Sequence, residues 1–320
     1  MISEVDEAHF RSVSNRLLSG SVVPFLGAGI NLCERPDEQA WAYGKYLPDS
    51  RELAVHLAGQ LDYPGQDRDN LLRVSQYLDV KLGIGPVYET LHDVFDADYD
   101  LTPVHLLLAS LPELIRQYRP DGPRVFPLYV TTNYDDGLER AFQSVDEPYD
   151  LVTYIAEGPQ QGKFLHTAPD GSSTYIMMPN TYTSLKGNER PVIAKIHGAV
   201  GRTLDSEDSF VVTENHYISY LSRTEISQLI PINISKRLMK SHFLFMGYSL
   251  RDWNLRVILQ RIWSGGGLSY RSWAIQPGPE RIDEQAWMRQ GVELLDARLL
   301  EYTQALELAL KDQVARGPQR

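Results

Sequence analysis

Apolar residues in this chain fall into two alternating patterns. Short apolar runs bounded by turn-forming residues recur, and such runs are typical of strands buried on both faces of a sheet. These runs are 22–26, 127–131, 192–196, 242–246, 272–276 and 293–295, with a further short one at 210–212. Helically spaced segments lie at Glu4–Leu18, 136–143, 226–239, 251–262 and 299–314, and Glu214 begins another helix. The alternation predicts an α/β fold with a Rossmann-like, mostly parallel sheet and helices on both faces.

Two stretches depart from this alternation. Residues 51–111 have helical spacing throughout, which predicts a helical insertion, or subdomain, within a single domain spanning 1–320. Residues 145–190 are rich in Gly, Pro, Tyr and Thr, and this composition predicts irregular loops and hairpins.

Charge and cysteine content narrow the class of protein. The 320 residues include 31 Lys and Arg against 42 Asp and Glu, which gives a net charge of −11. Proteins that neutralise phosphates normally carry the opposite sign, so we expect no direct binding to nucleic acid. The single cysteine, Cys33, excludes an intramolecular disulfide framework and a Cys-rich zinc module. Since no apolar stretch approaches 18 residues, we expect a soluble cytoplasmic protein without a membrane segment.

Four of the apolar runs end in polar or glycine-rich clusters. In order they are Gly27-Ala28-Gly29-Ile30-Asn31, Thr131 to Asp136, Lys195 to Gly198, and Gly247 to Asp252. In an open parallel sheet, ligands bind in the crevice beyond the carboxyl ends of the strands. The four clusters are therefore expected to converge on one site, whatever their separation in sequence.

The glycine clusters have two interpretations each. The Gly27 and Gly29 pair suits a backbone that approaches a diphosphate closely, but Leu32 stands where the dinucleotide fingerprint needs a third glycine. A tight turn requiring positive φ is the alternative. Gly247 and Ser249 either hydrogen-bond a phosphate or ribose, or simply turn the chain.

The polar clusters are also ambiguous when taken singly. Asn133 and Asp135 follow a buried strand, where they either bind polar ligand groups or cap the next helix. His197 ends another strand; its imidazole titrates in a range suited to proton transfer, although a lone histidine is more often structural. The sequence contains no P-loop and no His-Glu-x-x-His motif, so a P-loop NTPase or a zinc protease is not indicated.

Taken together and in this order, the clusters resemble those of the sirtuin (SIR2) family. The four motifs in this sequence are Gly27-Ala28-Gly29, Thr131-Thr132-Asn133-Tyr134-Asp135, His197-Gly198 and Gly247-Tyr248-Ser249. The resemblance spans residues 22 to about 253 and implies NAD+ binding. The implied binding residues are Gly27, Ala28, Gly29, Asn31, Asp135, Gly247 and Ser249.

The same resemblance assigns roles. The glycine loop would bind the diphosphate, Asp135 the carboxamide, and Gly247 with Ser249 the adenosine half. Asn133 at the nicotinamide ribose and His197 as the base would be the catalytic residues.

The chain departs from the deacetylating sirtuins, because the four cysteines of their zinc ribbon are missing after His197 and residues 31–37 differ from their Ser…Pro-Asp-Phe-Arg pattern. It is more similar to SIR2-like effectors of bacterial antiviral defence, which hydrolyse NAD+ and often work with a second protein such as a HerA-type ATPase or an Argonaute. This implies a metal-free NAD+ glycohydrolase that forms a homo-oligomer.

The chemistry of that reaction suits a small set of residues. Nicotinamide leaves NAD+ as a neutral molecule, so the site must mainly stabilise an oxocarbenium-like ribose and position water. Because an unregulated hydrolase would exhaust its own cell's NAD+, we hypothesise gating by assembly or a partner, with residues 51–111 as lid or oligomer interface. Two alternatives remain open: a sensor that binds NAD+ without turnover, and a protein deacylase without zinc.

Overall fold

The computed structural model describes residues 4–36, 39–202, 208–222, 230–248, 257, 259 and 270–318. Within these residues the strands follow the short apolar runs, because a run of four or five apolar residues can be buried on both faces. The strands are β1 (Val22–Leu26), β2 (Leu128–Thr131), β3 (Asp150–Tyr154), β4 (Phe164–Thr167), β5 (Ser173–Ile176), β6 (Val192–Lys195), β7 (Gly198–Ala199), β8 (Ser209–Phe210), β9 (His242–Met246), β10 (Ser272–Ile275) and β11 (Val292–Leu295).

In the described part of the chain, nine of these strands form one sheet in the order β11-β10-β9-β1-β2-β6-β3-β4-β5. The pairs from β11 to β3 are parallel, and β4 and β5 join as antiparallel edge strands. Phe25 of β1 lies in register with Val130 of β2 and with Phe245 of β9. The carboxyl ends of β1, β2, β6 and β9 therefore meet at one edge, which confirms the predicted mostly parallel α/β fold.

Helices cover both faces of this sheet. The described helices are α1 (Glu4–Leu18), α2 (Ser50–Gln60), α3 (Leu71–Leu82), α4 (Ile84–Phe95), α5 (Pro103–Tyr118), α6 (Gly137–Ser144), α7 (Glu214–Ser222), α8 (Ile232–Met239), α9 (Arg281–Arg289) and α10 (Leu299–Arg316). Side chains from α1, α5, α6 and α10 pack on one face, and side chains from α7, α8 and α9 pack on the other. Neighbouring residues of a strand alternate between the two cores, as Phe25 and Leu26 do.

The segment at residues 51–111 divides between two packing environments. Helices α2, α3 and α4 form a third apolar cluster, together with Tyr134, Phe210 and Val212. Helix α5 packs instead against the sheet and against α10.

The structure refines one predicted segment and corrects another. Residues 145–190, expected to be irregular loops and hairpins, do contain the antiparallel pairs β3–β4 and β4–β5, and these strands extend the main sheet. The helix expected over 226–239 begins at Ile232 after Pro231, because proline is suited to a helix start. Residues 226–229 lie outside the described part of the chain, as does most of the helix expected over 251–262.

Within the described residues, no helix is both long and apolar enough to cross a bilayer. Among the same residues, no three His, Cys, Asp or Glu side chains are grouped so as to hold a metal ion.

Candidate functional site

Three glycines from two adjacent strand ends pack against one another at the carboxyl edge of the sheet. The N–H of Gly27 donates to Met246 O at 3.0 Å, and the N–H of Gly29 donates to Gly247 O at 2.9 Å. A Cβ on Gly29 would lie 2.8 Å from Gly247 Cα, so this close approach of two backbones requires glycine. Gly247 also has a φ of +71°, which L residues with a side chain rarely adopt.

The polar residues after β2 lie beside this glycine loop. Asn133 Nδ2 donates to Gly27 O at 3.3 Å. Asp135 accepts at Oδ2 from Asn31 Nδ2 at 2.8 Å and at Oδ1 from the N–H of Gly137 at 3.0 Å. The carboxylate of Asp135 thus binds the first turn of α6 and the glycine-loop segment at once. Both functions that the sequence left open for this residue, cap and site residue, are compatible with this geometry.

A buried ion pair between Lys195 and Glu139 holds the backbone of Tyr134 and Asp135. Lys195, which is 1% exposed, donates from Nζ to Glu139 Oε1 at 2.7 Å and to the main-chain carbonyls of Tyr134 and Asp135. Burial raises the pKa of the Glu139 carboxyl, although Lys195 acts in the opposite direction. No sequence motif indicates a role for Lys195. Only its positive charge inside the apolar run 192–196 distinguishes it in the sequence.

His197 follows Lys195 and is 6% exposed. Its ring meets the ring of Tyr217 edge-on, with 5.4 Å between centroids. Among the described residues, its Nε2 has no hydrogen-bond partner. Burial lowers the pKa of His197 to about 3, so the imidazole is neutral near pH 7 and one ring nitrogen is free to accept a proton.

A cavity of about 660 Å³ lies at this edge of the sheet. The sequence-predicted residues on its wall are Ala28, Gly29, Asn31, Asn133, Asp135, His197 and Gly247. Gly27 does not line the cavity, but its carbonyl oxygen accepts a hydrogen bond from Asn133, which does. Ser249 lies outside the described residues. Residues from all four clusters therefore line one cavity, although Gly27 itself does not.

Comparison with known protein families supports the same grouping. A family model described as a SIR2-like domain matches residues 127–295, which is more than half of the chain. The chain belongs to the SIR2-like family. The matched range includes Asn133, Asp135, His197 and Gly247, whereas the glycine loop at Gly27 precedes it.

Three curated relatives of this SIR2-like chain carry the name NAD(+) hydrolase ThsA. The relative from Cytobacillus dafuensis is 24% identical over 210 residues, which are 66% of this chain and 34% of the relative. The relative from Enterococcus faecium is 25% identical over 251 residues, 78% of this chain and 41% of its own length. The relative from Acinetobacter baumannii is 26% identical over 213 residues, 66% and 35% respectively. The chain thus matches only about a third to two-fifths of the length of these relatives.

The cavity of this SIR2-like chain is also lined by residues that no sequence motif indicated. Tyr248, whose hydroxyl lies 2.6 Å from Thr132 Oγ1, closes one side. The helical cluster contributes Arg51, at the start of α2, and Phe95, at the end of α4. A second cavity of about 710 Å³ shares Gly29, Leu32, Gly247 and Tyr248 with the first. No binding motif in the sequence marks Arg51 or Phe95, so only the packing of the helices shows that they line the cavity.

Proposed function

We propose that this chain is an NAD+ glycohydrolase, which cleaves NAD+ to nicotinamide and ADP-ribose. One observation carries the proposal: His197, whose neutral imidazole has an Nε2 without a partner among the described residues, lines the same cavity as Asn133 and Asp135. Membership of the SIR2-like family and the name NAD(+) hydrolase on three relatives support the choice of substrate.

In the proposed reaction, the bond between the anomeric carbon of the ribose and the nicotinamide nitrogen breaks, and its electron pair stays on nicotinamide. The oxygen of a water molecule then bonds to the anomeric carbon, and one water proton passes to His197 and on to solvent. Water that has added to an oxocarbenium carbon is strongly acidic, so a weak neutral base is sufficient. An imidazole with a pKa of about 3 meets this requirement because it is unprotonated throughout the physiological range.

The polar groups around His197 supply orientation and electrostatic stabilisation. Asn133 is fixed by its bond to Gly27 O and keeps its side-chain oxygen to orient a ribose hydroxyl or the water. Asp135 is held by Asn31 and Gly137, at the position assigned to the nicotinamide carboxamide. A fixed carboxylate there also favours the positive charge that develops on the ribose.

The rest of the substrate extends along the sheet edge. Gly247, with Ser249 after it, is assigned to the adenosine half, and the second cavity, which shares Gly29 and Gly247 with the first, gives that half its space. NAD+ is the substrate, and the proposed reaction uses no metal.

We also propose that the hydrolase acts in antiviral defence and is gated. The support is the resemblance of its motifs to SIR2-like defence effectors, which often work with a second protein. A homo-oligomer, or a partner such as a HerA-type ATPase or an Argonaute, would control access to NAD+. Helices α2 to α4 form one wall of the cavity and are the proposed lid or oligomer interface.

Nicotinamide release from NAD+ by the purified chain tests the hydrolase, alone and with a candidate partner. We expect Asn133→Ala and His197→Ala each to lower kcat/KM by at least about a hundredfold, within the range of a positioned base or polar group. His56→Ala, on α2 and away from the cavity wall, is the matched control and should retain activity. Activity that survives both site substitutions refutes the mechanism, and NAD+ binding without release under every condition favours the sensor.

A further inference from the structure

Arg51 is the one arginine or lysine among the described residues that line the first cavity. It is exposed and lies in the first turn of α2. Its arginine neighbours in the helical cluster all have partners. Arg35 pairs with Glu52, Arg73 with Asp67, and Arg68 donates to two main-chain carbonyls. No ion pair or side-chain hydrogen bond of Arg51 occurs in the described part of the chain, so its guanidinium is available to a ligand.

The glycine loop offers few donors to an anion. The N–H groups of Gly27, Gly29 and Ile30 are bonded to Met246 O, Gly247 O and Gly27 O. A diphosphate lying against this loop therefore gains close approach but not these three hydrogen bonds. Its negative charge must be balanced by another group on the cavity wall.

The N-terminus of α2 does not supply that balance through its backbone. Asp49 caps the helix, and its Oδ1 accepts from the N–H of Arg51 at 2.9 Å and of Glu52 at 2.8 Å. The carboxylates of Asp49 and Asp135 both line the cavity and repel an anion. The Arg51 side chain remains, with a planar fork of donors that matches phosphate oxygens.

We propose that Arg51 binds the diphosphate of the dinucleotide and selects substrates that carry it over nicotinamide riboside, which has no phosphate. This inference rests on the proposed function for its choice of substrate. It gives the helical cluster a direct part in recognition, because α2 brings the cation to a crevice otherwise built from strand ends.

Calorimetry with ADP-ribose and with adenosine tests the contact without turnover. Arg51→Gln is expected to raise the Kd for ADP-ribose about tenfold, the worth of one charge-assisted contact, and to leave adenosine binding unchanged. The ADP-ribose affinity of the unaltered chain should also fall more steeply with salt than that of the variant. Arg51→Lys keeps the charge without the fork and should give an intermediate Kd.

Kinetics separate this binding role from a structural one. With NAD+, Arg51→Gln should raise KM about tenfold and change kcat less than about twofold, because the diphosphate is remote from the reacting bond. With nicotinamide riboside, neither constant should change. Arg316→Gln is the matched control: it removes the same charge from an exposed arginine of α10, outside helices α2 to α4, and should alter no constant.

The outcomes distinguish the two proposals. An unchanged Kd for ADP-ribose in Arg51→Gln, or an equal loss with NAD+ and nicotinamide riboside, overturns the role of Arg51 and leaves the hydrolase standing. Arg51-dependent binding of ADP-ribose without nicotinamide release supports the contact and counts against the hydrolase. Failure of the unaltered chain to bind ADP-ribose overturns the role of Arg51, whereas nicotinamide release alone decides the hydrolase.

Discussion

Replacing Lys195 with methionine should destabilise the protein strongly. The substitution removes the cation paired with Glu139 but leaves a carboxylate that is 7% exposed, and Glu139 Oε2 already has no partner in the described structure. Breaking a buried pair by removing one partner costs about 3–5 kcal/mol, because the remaining charge is uncompensated. The carbonyls of Tyr134 and Asp135 also lose their donor. We therefore expect the free energy of unfolding to fall by about 3–5 kcal/mol at pH 8.

The loss should depend on pH in a defined direction. Burial raises the pKa of Glu139 above 4.5, and without Lys195 it rises further. A group whose folded pKa is raised stabilises the fold below its unfolded pKa, and that contribution disappears as pH rises through the folded value. The difference between Lys195→Met and the unaltered protein should therefore be largest at pH 8 and shrink toward pH 5.

Urea unfolding followed by circular dichroism at pH 8 and pH 5 measures both effects. Adding Glu139→Leu to Lys195→Met removes the unpaired charge and should restore most of the lost free energy of unfolding. The remaining loss of about 1–3 kcal/mol is the cost of the unsatisfied carbonyls. Lys311→Met breaks an exposed pair with Glu307 and should cost less than about 1 kcal/mol. A loss below 1 kcal/mol for Lys195→Met, or one that does not vary with pH, would refute the reasoning.

Two further predictions concern the cavity. The pKa of His197 is lowered from 6.5 to about 3, so the folded protein loses stability as pH falls through this interval. Replacing His197 with Gln should therefore make the free energy of unfolding fall by about 2 kcal/mol less between pH 7 and pH 5, as measured by urea unfolding. An unchanged pH slope would show that this imidazole does titrate in the folded protein. Gly247→Ala places a Cβ 2.3 Å from Ile30 N at a φ of +71° and should cost about 2–3 kcal/mol in thermal or urea unfolding, whereas Gly44→Ala, also at positive φ but with open space around it, should cost less.

The main sheet could be predicted from sequence because its central strands are continuous apolar runs. The runs at Val22–Leu26 and His242–Met246 are buried at every position. Strands β3 to β5 lacked this signal. Three of the four residues of β5 are exposed, and β3 begins at Asp150, a fully buried carboxylate that pairs with His166 and Arg190. Those partners lie 16 and 40 residues away, so no local pattern reveals why an acidic residue is buried there.

The convergence of Asn133, His197 and Gly247 followed from strand geometry, because carboxyl ends of parallel strands meet at one edge. The helical wall could not be predicted in this way. Arg51 reaches the cavity through the packing of α2 on α3 and α4. Tyr217 contacts His197 from α7. The positions of Arg51 and Tyr217 depend on tertiary contacts. In the sequence alone, Arg51 is an ordinary basic residue of a helical segment and Tyr217 is one of 18 tyrosines.

Tyr134 links the helical cluster to the polar residues that follow β2. Its ring packs edge-on against Phe95 and Phe210 within the helical cluster, and its hydroxyl donates to Val211 O at 2.7 Å. On either side of it in the chain, Asn133 and Asp135 face the cavity. A small rotation of these helices would therefore move the backbone between Asn133 and Asp135 and change the shape of the cavity that both side chains line.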